Sequence, residues 1–167
     1  MSDGVGSTEP SRSEGGGLAG GEAGTELVVR AEEVAQKAYA PYSKYLVGAV
    51  VRTTDGNEFT GTNVENAAYP LTQCAEKTAI GAAAPAGYRP GDIAAVAISA
   101  SPCGGCRQWL YEWRVPEVSY RRADGSIGVA TAAELLPDTW ELPTGVGSTE
   151  PAESEGAGSA GAGSGEQ

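Results

Sequence analysis

Three cysteines and no histidine set the chemistry open to this 167-residue chain. Cys74 is followed two residues later by Glu76, and Cys103 and Cys106 stand together in Pro102-Cys103-Gly104-Gly105-Cys106. Without an imidazole, serine and cysteine hydrolase schemes that need a histidine base are closed. Thiolates remain as soft metal ligands, and the carboxyl of Glu76 as a proton carrier. Three cysteines fall one short of a closed structural zinc site or of a usual iron–sulfur cluster. Three thiolates on one zinc ion leave its fourth position for water, which is how catalytic zinc sites are built. Two plainer readings stand beside this one: a cysteine is often a small buried hydrophobe, and Cys-x-x-Cys can be a redox dithiol. A dithiol would give no task to Cys74 or Glu76.

Both cysteine groups fall at predicted helix starts, where free N–H groups and the positive dipole end lower a thiol's pKa. Leu27, Ala31, Val34, Ala35 and Ala38 form an apolar stripe that predicts a first helix over 26–39, capped by Thr25 and ended by Pro41. Valine-rich 46–53, Asp55-Gly56 and then 58–64 read as a β-hairpin. A second helix is expected over 73–84, and 93–99 is apolar enough for a strand buried on both faces. A third helix over 103–114 carries Cys106, Trp109, Leu110 and Trp113 on one side. A strand at 118–122, a turn at Asp124-Gly125 and a capping box from Thr131 to Glu134 complete the pattern. Alternating helix and strand predict a three-layer α/β/α fold around a central mixed sheet.

Glycine and charge divide the chain. Residues 1–24 hold 8 of the 25 glycines and 145–167 hold 7, while all 11 aromatic residues lie between Tyr39 and Trp140. Low hydrophobicity predicts disordered Gly/Ser-rich tails at 1–24 and 145–167, which share the string GVGSTEP, and one folded domain at 25–144. Net charge is −11, of which the tails carry −3 and −4. The remaining −4 with no basic cluster argues against nucleic acid as a partner. No apolar run approaches a membrane span or a secretory signal, so a cytoplasmic protein with a small-molecule partner is expected.

Cys74-Ala75-Glu76 with Pro102-Cys103-Gly104-Gly105-Cys106-Arg107-Gln108 resembles the zinc site of the cytidine deaminases. Ala40-Pro41-Tyr42-Ser43, Asn63-Val64-Glu65-Asn66-Ala67 and Glu134-Leu135-Leu136-Pro137 extend the resemblance to the short, homotetrameric class, over about 31–140. It implies zinc held by Cys74, Cys103 and Cys106, with Glu76 moving protons during hydrolytic deamination of cytidine and deoxycytidine, as in pyrimidine salvage. It further implies Asn63 and Glu65 on the ribose, and the backbone N–H groups of Ala67 and Ala75 on sugar and base. Tyr69 would reach a neighbouring subunit's site. Tyr45 and Trp140 stand where the family usually has phenylalanine, and would stack on the base or cover a neighbour's pocket. Lys77 stands where three-cysteine members usually have arginine, and with Arg107 would balance charge at the metal. The two-residue stretch Ala100-Ser101 is shorter than the family pattern, which opens the choice of substrate to a modified nucleoside such as blasticidin S. A non-catalytic zinc or redox module is the alternative outside enzymes. The small residues Ala79, Gly81, Ala82, Ala83 and Ala84 would allow close helix contact between subunits.

Overall fold

Gly24, Leu27, Val28, Ala31 and Ala35 recur three and four residues apart and fold Glu22–Ala35 into α1, with these five residues buried. The computed structural model describes residues 21–140, so the expected tail at 145–167 and most of that at 1–24 lie outside the described residues. The helix begins earlier than its sequence suggests. Gly21, not Thr25, is the N-cap, and Thr25 sits inside the first turns with its hydroxyl donating back to the Gly21 carbonyl at 2.7 Å. It also ends sooner, at Ala35, so Ala38 and Pro41 belong to the following loop.

The hairpin forms as expected, but shorter at its outer ends: β1 is Gly48–Thr53 and β2 is Glu58–Thr62. Gly56 supplies the positive φ of +88° that the turn between them needs. After a 3-10 turn at Tyr69–Leu71 come α2 (Ala75–Ala83), a second 3-10 turn at Ala84–Ala86, β3 (Ile93–Ile98), α3 (Gly104–Glu112), β4 (Val118–Arg121), β5 (Ile127–Ala130) and α4 (Ala132–Leu135). Thr131 and Glu134 close the capping box reciprocally, which fixes the start of α4. The strands lie in the order β2-β1-β3-β4-β5, with β3 and β4 parallel and the other neighbours antiparallel.

Strand alternation sends side chains to two helical layers. Val50 and Ala97 pack with Leu27, Val28 and Ala31 of α1 on one face. Ala49, Val51, Val96, Ile98 and Val118 pack on the other with residues of α2, α3 and α4, including Ala75, Ala79, Ile80, Leu110 and Leu135. The result is the three-layer α/β/α arrangement around a mixed sheet. In α3 the stripe is narrower than its spacing suggests: Cys106 and Leu110 are buried, while Trp109 is exposed.

Two features of this packing place the site. A Cβ on Gly61 of β2 would lie 2.3 Å from the Ala79 nitrogen and 2.4 Å from the Ala75 carbonyl oxygen. Only glycine lets the first turn of α2 lie this close to the sheet. Strand register does the rest: Gly48 faces Thr62, Ala49 faces Ile98, and Ile98 faces Tyr120. The start of β1 and the ends of β2, β3 and β4 therefore share one edge of the sheet.

Candidate metal centre and active site

Cys74 and Cys103 are the N-caps of α2 and α3, both in extended backbone conformation and neither using its side chain as a cap. A Ser or Asp there would turn inward to the helix N–H groups; the thiols instead turn to each other. Their sulfurs are 3.8 Å apart, and with Cys106 Sγ all three lie within 4.8 Å of one another. Zn–S bonds of about 2.3 Å in a tetrahedron put sulfurs about 3.8 Å apart, so the trio fits that ion. Soft thiolate donors also suit zinc better than magnesium or calcium. A disulfide is absent among the three.

The electrostatics favour an anionic sulfur at Cys74. Hydrogen bonding from Cys106 lowers the Cys74 pKa to about 6 against the cost of burial, helped by Cys103 and by the charge of Lys77. The converse holds for Cys106, which is pushed up chiefly by its bond to Cys74 and by burial. Glu76, on the first turn of α2, is only 3% exposed. Burial raises its carboxyl above the ordinary glutamate range, with the nearby Cys74 charge acting the same way. A carboxyl held nearer neutrality both accepts and donates protons, as a general acid–base group must.

Cys74, Cys103 and Glu76 line a cavity of about 670 Å³ whose wall also includes Tyr45, Asn63, Glu65, Tyr69 and Ala75, with Cys106 buried behind it. Paired backbone hydrogen bonds of 3.0 Å between Val64 and Gln73 tie the Asn63–Glu65 stretch to the segment that delivers Cys74. Both polar side chains of that stretch already hold the loop 41–47. Asn63 Nδ2 donates to the Tyr45 carbonyl and Oδ1 accepts from the Val47 N–H, each at 2.9 Å. Glu65 Oε2 accepts from the N–H groups of Tyr42 at 2.8 Å and Ser43 at 3.2 Å. The Ser43 side chain, and then these N–H groups, draw the Glu65 carboxyl below its ordinary pKa. An amide N–H on Asn63 and lone pairs on Glu65 remain for a ligand.

Other expected residues sit elsewhere. Ala67 is exposed and outside the cavity wall. Trp140, 68% exposed, lines a different cavity with α3 and α4, and its carbonyl accepts from Gln108 at 3.4 Å. Lys77 Nζ lies 3.9 Å from where a Cβ on Gly105 would be, between the two helix starts. Arg107 does not turn to the sulfurs: its guanidinium donates to the Pro102 and Leu135 carbonyls. Ser99, Ala100, Ser101, Arg121 and Arg122 also line the cavity. The ends of parallel β3 and β4 bring them there, a pairing that no local sequence signal reveals.

Known proteins resemble this chain in sequence and fold. The model of the cytidine and deoxycytidylate deaminase zinc-binding region matches residues 22–122. The cytidine deaminase of Sporosarcina psychrophila is 39% identical over 119 residues, 67% of this chain and 87% of that protein. That of Halalkalibacterium halodurans is 40% identical over 119 residues, 66% of this chain and 89% of that one. The crystal structure of cytidine deaminase from Burkholderia pseudomallei superposes with a TM-score of 0.65 at 45% identity, covering 70% of this chain and 98% of the other. The Mycobacterium tuberculosis enzyme gives 0.61 at 35%, covering 71% and 97%. By its sequence, its fold and its three-thiol cluster, the chain belongs to the cytidine and deoxycytidylate deaminase zinc-binding family.

Proposed function

We propose that this protein hydrolyses cytidine and deoxycytidine to uridine and deoxyuridine, releasing ammonia, as a step of pyrimidine salvage. One observation carries the proposal: a buried carboxyl, Glu76, stands on the first turn of the helix capped by Cys74, beside a three-thiol cluster and in the wall of a cavity of about 670 Å³. Cys74, Cys103 and Cys106 would hold zinc, which when bound lowers the pKa of water from 15.7 toward roughly 7. Glu76 would take one proton of the attacking water and deliver it to N3 of the ring, then carry the remaining hydroxyl proton of that water to the amino group, so that the C4–N bond breaks with loss of ammonia. The Ala75 N–H, one of the helix-start donors without an intrahelical partner, would donate to the base carbonyl. Asn63 and Glu65 would bind the sugar hydroxyls with the polar capacity the loop leaves free, so a free base would leave them unpaired and bind poorly. Tyr45, carried by that same loop, would stack on the ring.

Self-association into a homotetramer is part of the proposal. Tyr45 and Tyr69 at the cavity mouth are 63% and 78% exposed in the single chain, and α2 turns Gly81 and Ala82 outward with open space at Gly81. Trp140, away from its own chain's zinc cavity, is then free to cover a neighbour's. Among the described residues no helix is long and apolar enough to cross a membrane, and we assign the enzyme to the cytoplasm. The catalytic unit would run from α1 to about residue 144.

Zinc-loaded protein is tested against cytidine, deoxycytidine, blasticidin S and cytosine, reading ultraviolet absorbance and ammonia. Turnover of the two nucleosides with little on cytosine is expected; ammonia from none of the four would end the proposal. Light scattering beside the assay tests assembly, and a fully active monomer would remove the tetramer from it.

A further inference from the structure

Arg107 follows the buried Cys106 directly, yet it reaches away from the thiols in two directions. Its Nε donates to the Pro102 carbonyl and its Nη1 to the Leu135 carbonyl, each at 3.1 Å. Pro102 immediately precedes Cys103. Leu135 ends α4, where a helix leaves its last carbonyls without intrahelical partners. The next residue, Gln108, donates to the Trp140 carbonyl at 3.4 Å. Two consecutive residues of α3 therefore grip the segment running from α4 to Trp140, and one of them also grips the loop that carries Cys103.

Of the three thiols, Cys103 most needs such a hold. Cys106 is buried within α3, and Cys74 is fixed where α2 lies against Gly61. Cys103 is exposed, makes no cap hydrogen bond, and is followed by Gly104 and Gly105, which bring no side chain to steady the turn. Its backbone is set by Pro102 on one side and the first bond of α3 on the other, Arg107 N–H to Cys103 carbonyl at 3.0 Å.

We propose that Arg107 is a positioning residue of the metal centre: it pins Pro102, and with it the Cys103 sulfur, to the end of α4, so that zinc retention depends on the seating of the C-terminal segment. The inference rests on the three-thiol zinc site. Arginine suits the task because its rigid planar fork serves two carbonyls in fixed directions, whereas a lysine ammonium is a point donor on a flexible stem.

The test uses the full zinc-loaded chain in competition with a chromophoric zinc chelator, with the unfolding midpoint of each metal-free protein measured alongside. Arg107→Met is expected to release zinc at chelator concentrations about 10- to 100-fold lower than the parent, the usual effect of removing a partner that orients a ligand. Arg107→Lys should fall between the two, and carries the comparison if Arg107→Met does not fold. Arg89→Met is the control: Arg89 Nη1 donates to the Ala84 and Tyr88 carbonyls at 2.9 and 2.8 Å, beyond the far end of α2. It should lower the midpoint while leaving zinc retention at the parent value. Parent-like zinc retention in folded Arg107 variants would overturn the proposal, as would equal weakening in Arg89→Met. A parent protein that takes up no zinc would instead remove the metal site itself, and that is seen before any substitution is compared.

Discussion

Replacing Glu76 by glutamine keeps the shape of the side chain and removes its ability to carry a proton. Loss of a positioned general acid–base group costs roughly 10²–10⁴ in rate, and the structure argues for the upper part of that range. Glu76 is 3% exposed, which keeps buffer from standing in for it. Histidine is absent from the chain. Glu65 is the other carboxylate of the cavity wall, and its bonds to Ser43 and Tyr42 hold it below the ordinary range, making it a poor base. A kcat loss of at least about 10³ is expected, about 4 kcal/mol of barrier, with KM changed far less. Zinc content should stay at the parent level, because the three sulfurs are untouched. Metal-free protein gives a second reading with a fixed sign. A carboxyl whose folded pKa is raised favours the folded state at low pH, and that contribution is lost as pH rises through the raised value. Metal-free Glu76→Gln should therefore unfold at a higher temperature than metal-free parent at pH 8, with the gap closing as the pH is lowered. Near-normal turnover in zinc-loaded Glu76→Gln would refute the proton-carrier role. A gap that widens on acidification would refute the burial argument.

Cys103→Ala should abolish zinc retention in the same chelator competition and with it nucleoside turnover, whereas Cys103 as a bystander would leave both intact. Gly61→Ala should destabilise by about 1–3 kcal/mol or more in urea unfolding, since the new methyl would meet the Ala75 and Ala79 backbone at 2.4 and 2.3 Å; kcat should fall as well, because the displaced turn carries Glu76. Acid should act through Glu65, whose pKa lies below the ordinary 4.5. A depressed pKa stabilises the folded state above the unfolded value, and that stability is lost as pH falls through the folded one. Unfolding midpoints should thus drop below about pH 4.5, and the drop should be smaller in Glu65→Gln; an equal drop in both would show that the carboxylate does not hold the 41–47 loop.

Much of the fold was legible because local signals agreed with packing. The Asp55-Gly56 turn, the apolar strand at 93–98 and the capping box at Thr131 each carry their cause within a few residues. The start of α1 was not legible, for a physical reason. Gly24 looks like part of a glycine-rich tail, yet it is buried, and a Cβ there would lie 2.6 Å from Ser119 Oγ. Composition counts that glycine as disorder; the structure uses it for close helix–strand contact. That Cys74, Cys103 and Cys106 would meet with Glu76 close by was suggested by two helix starts and by the family resemblance, and the three thiols do meet. The hold of Asn63 and Glu65 on the 41–47 loop, and the turn of Arg107 toward α4, depend on tertiary contacts that spacing cannot encode.

The same geometry bears on Lys77, where the family pattern has arginine. Three thiolates around a divalent zinc would leave one net negative charge, and a chain of net charge −11 has few cations to set against it. Two helix starts meet at the cluster, each equivalent to roughly half a positive charge, because Cys74 and Cys103 are the N-caps of α2 and α3. Lys77 reaches into the space between them, over Gly105, where no side chain competes for room. Its charge already helps draw the Cys74 thiol down to about 6. Charge balance at the zinc-bound sulfurs would then be shared between backbone dipoles and one ammonium. That leaves the forked guanidinium of Arg107 to hold two carbonyls in place, a task that a lysine's point charge would perform less well.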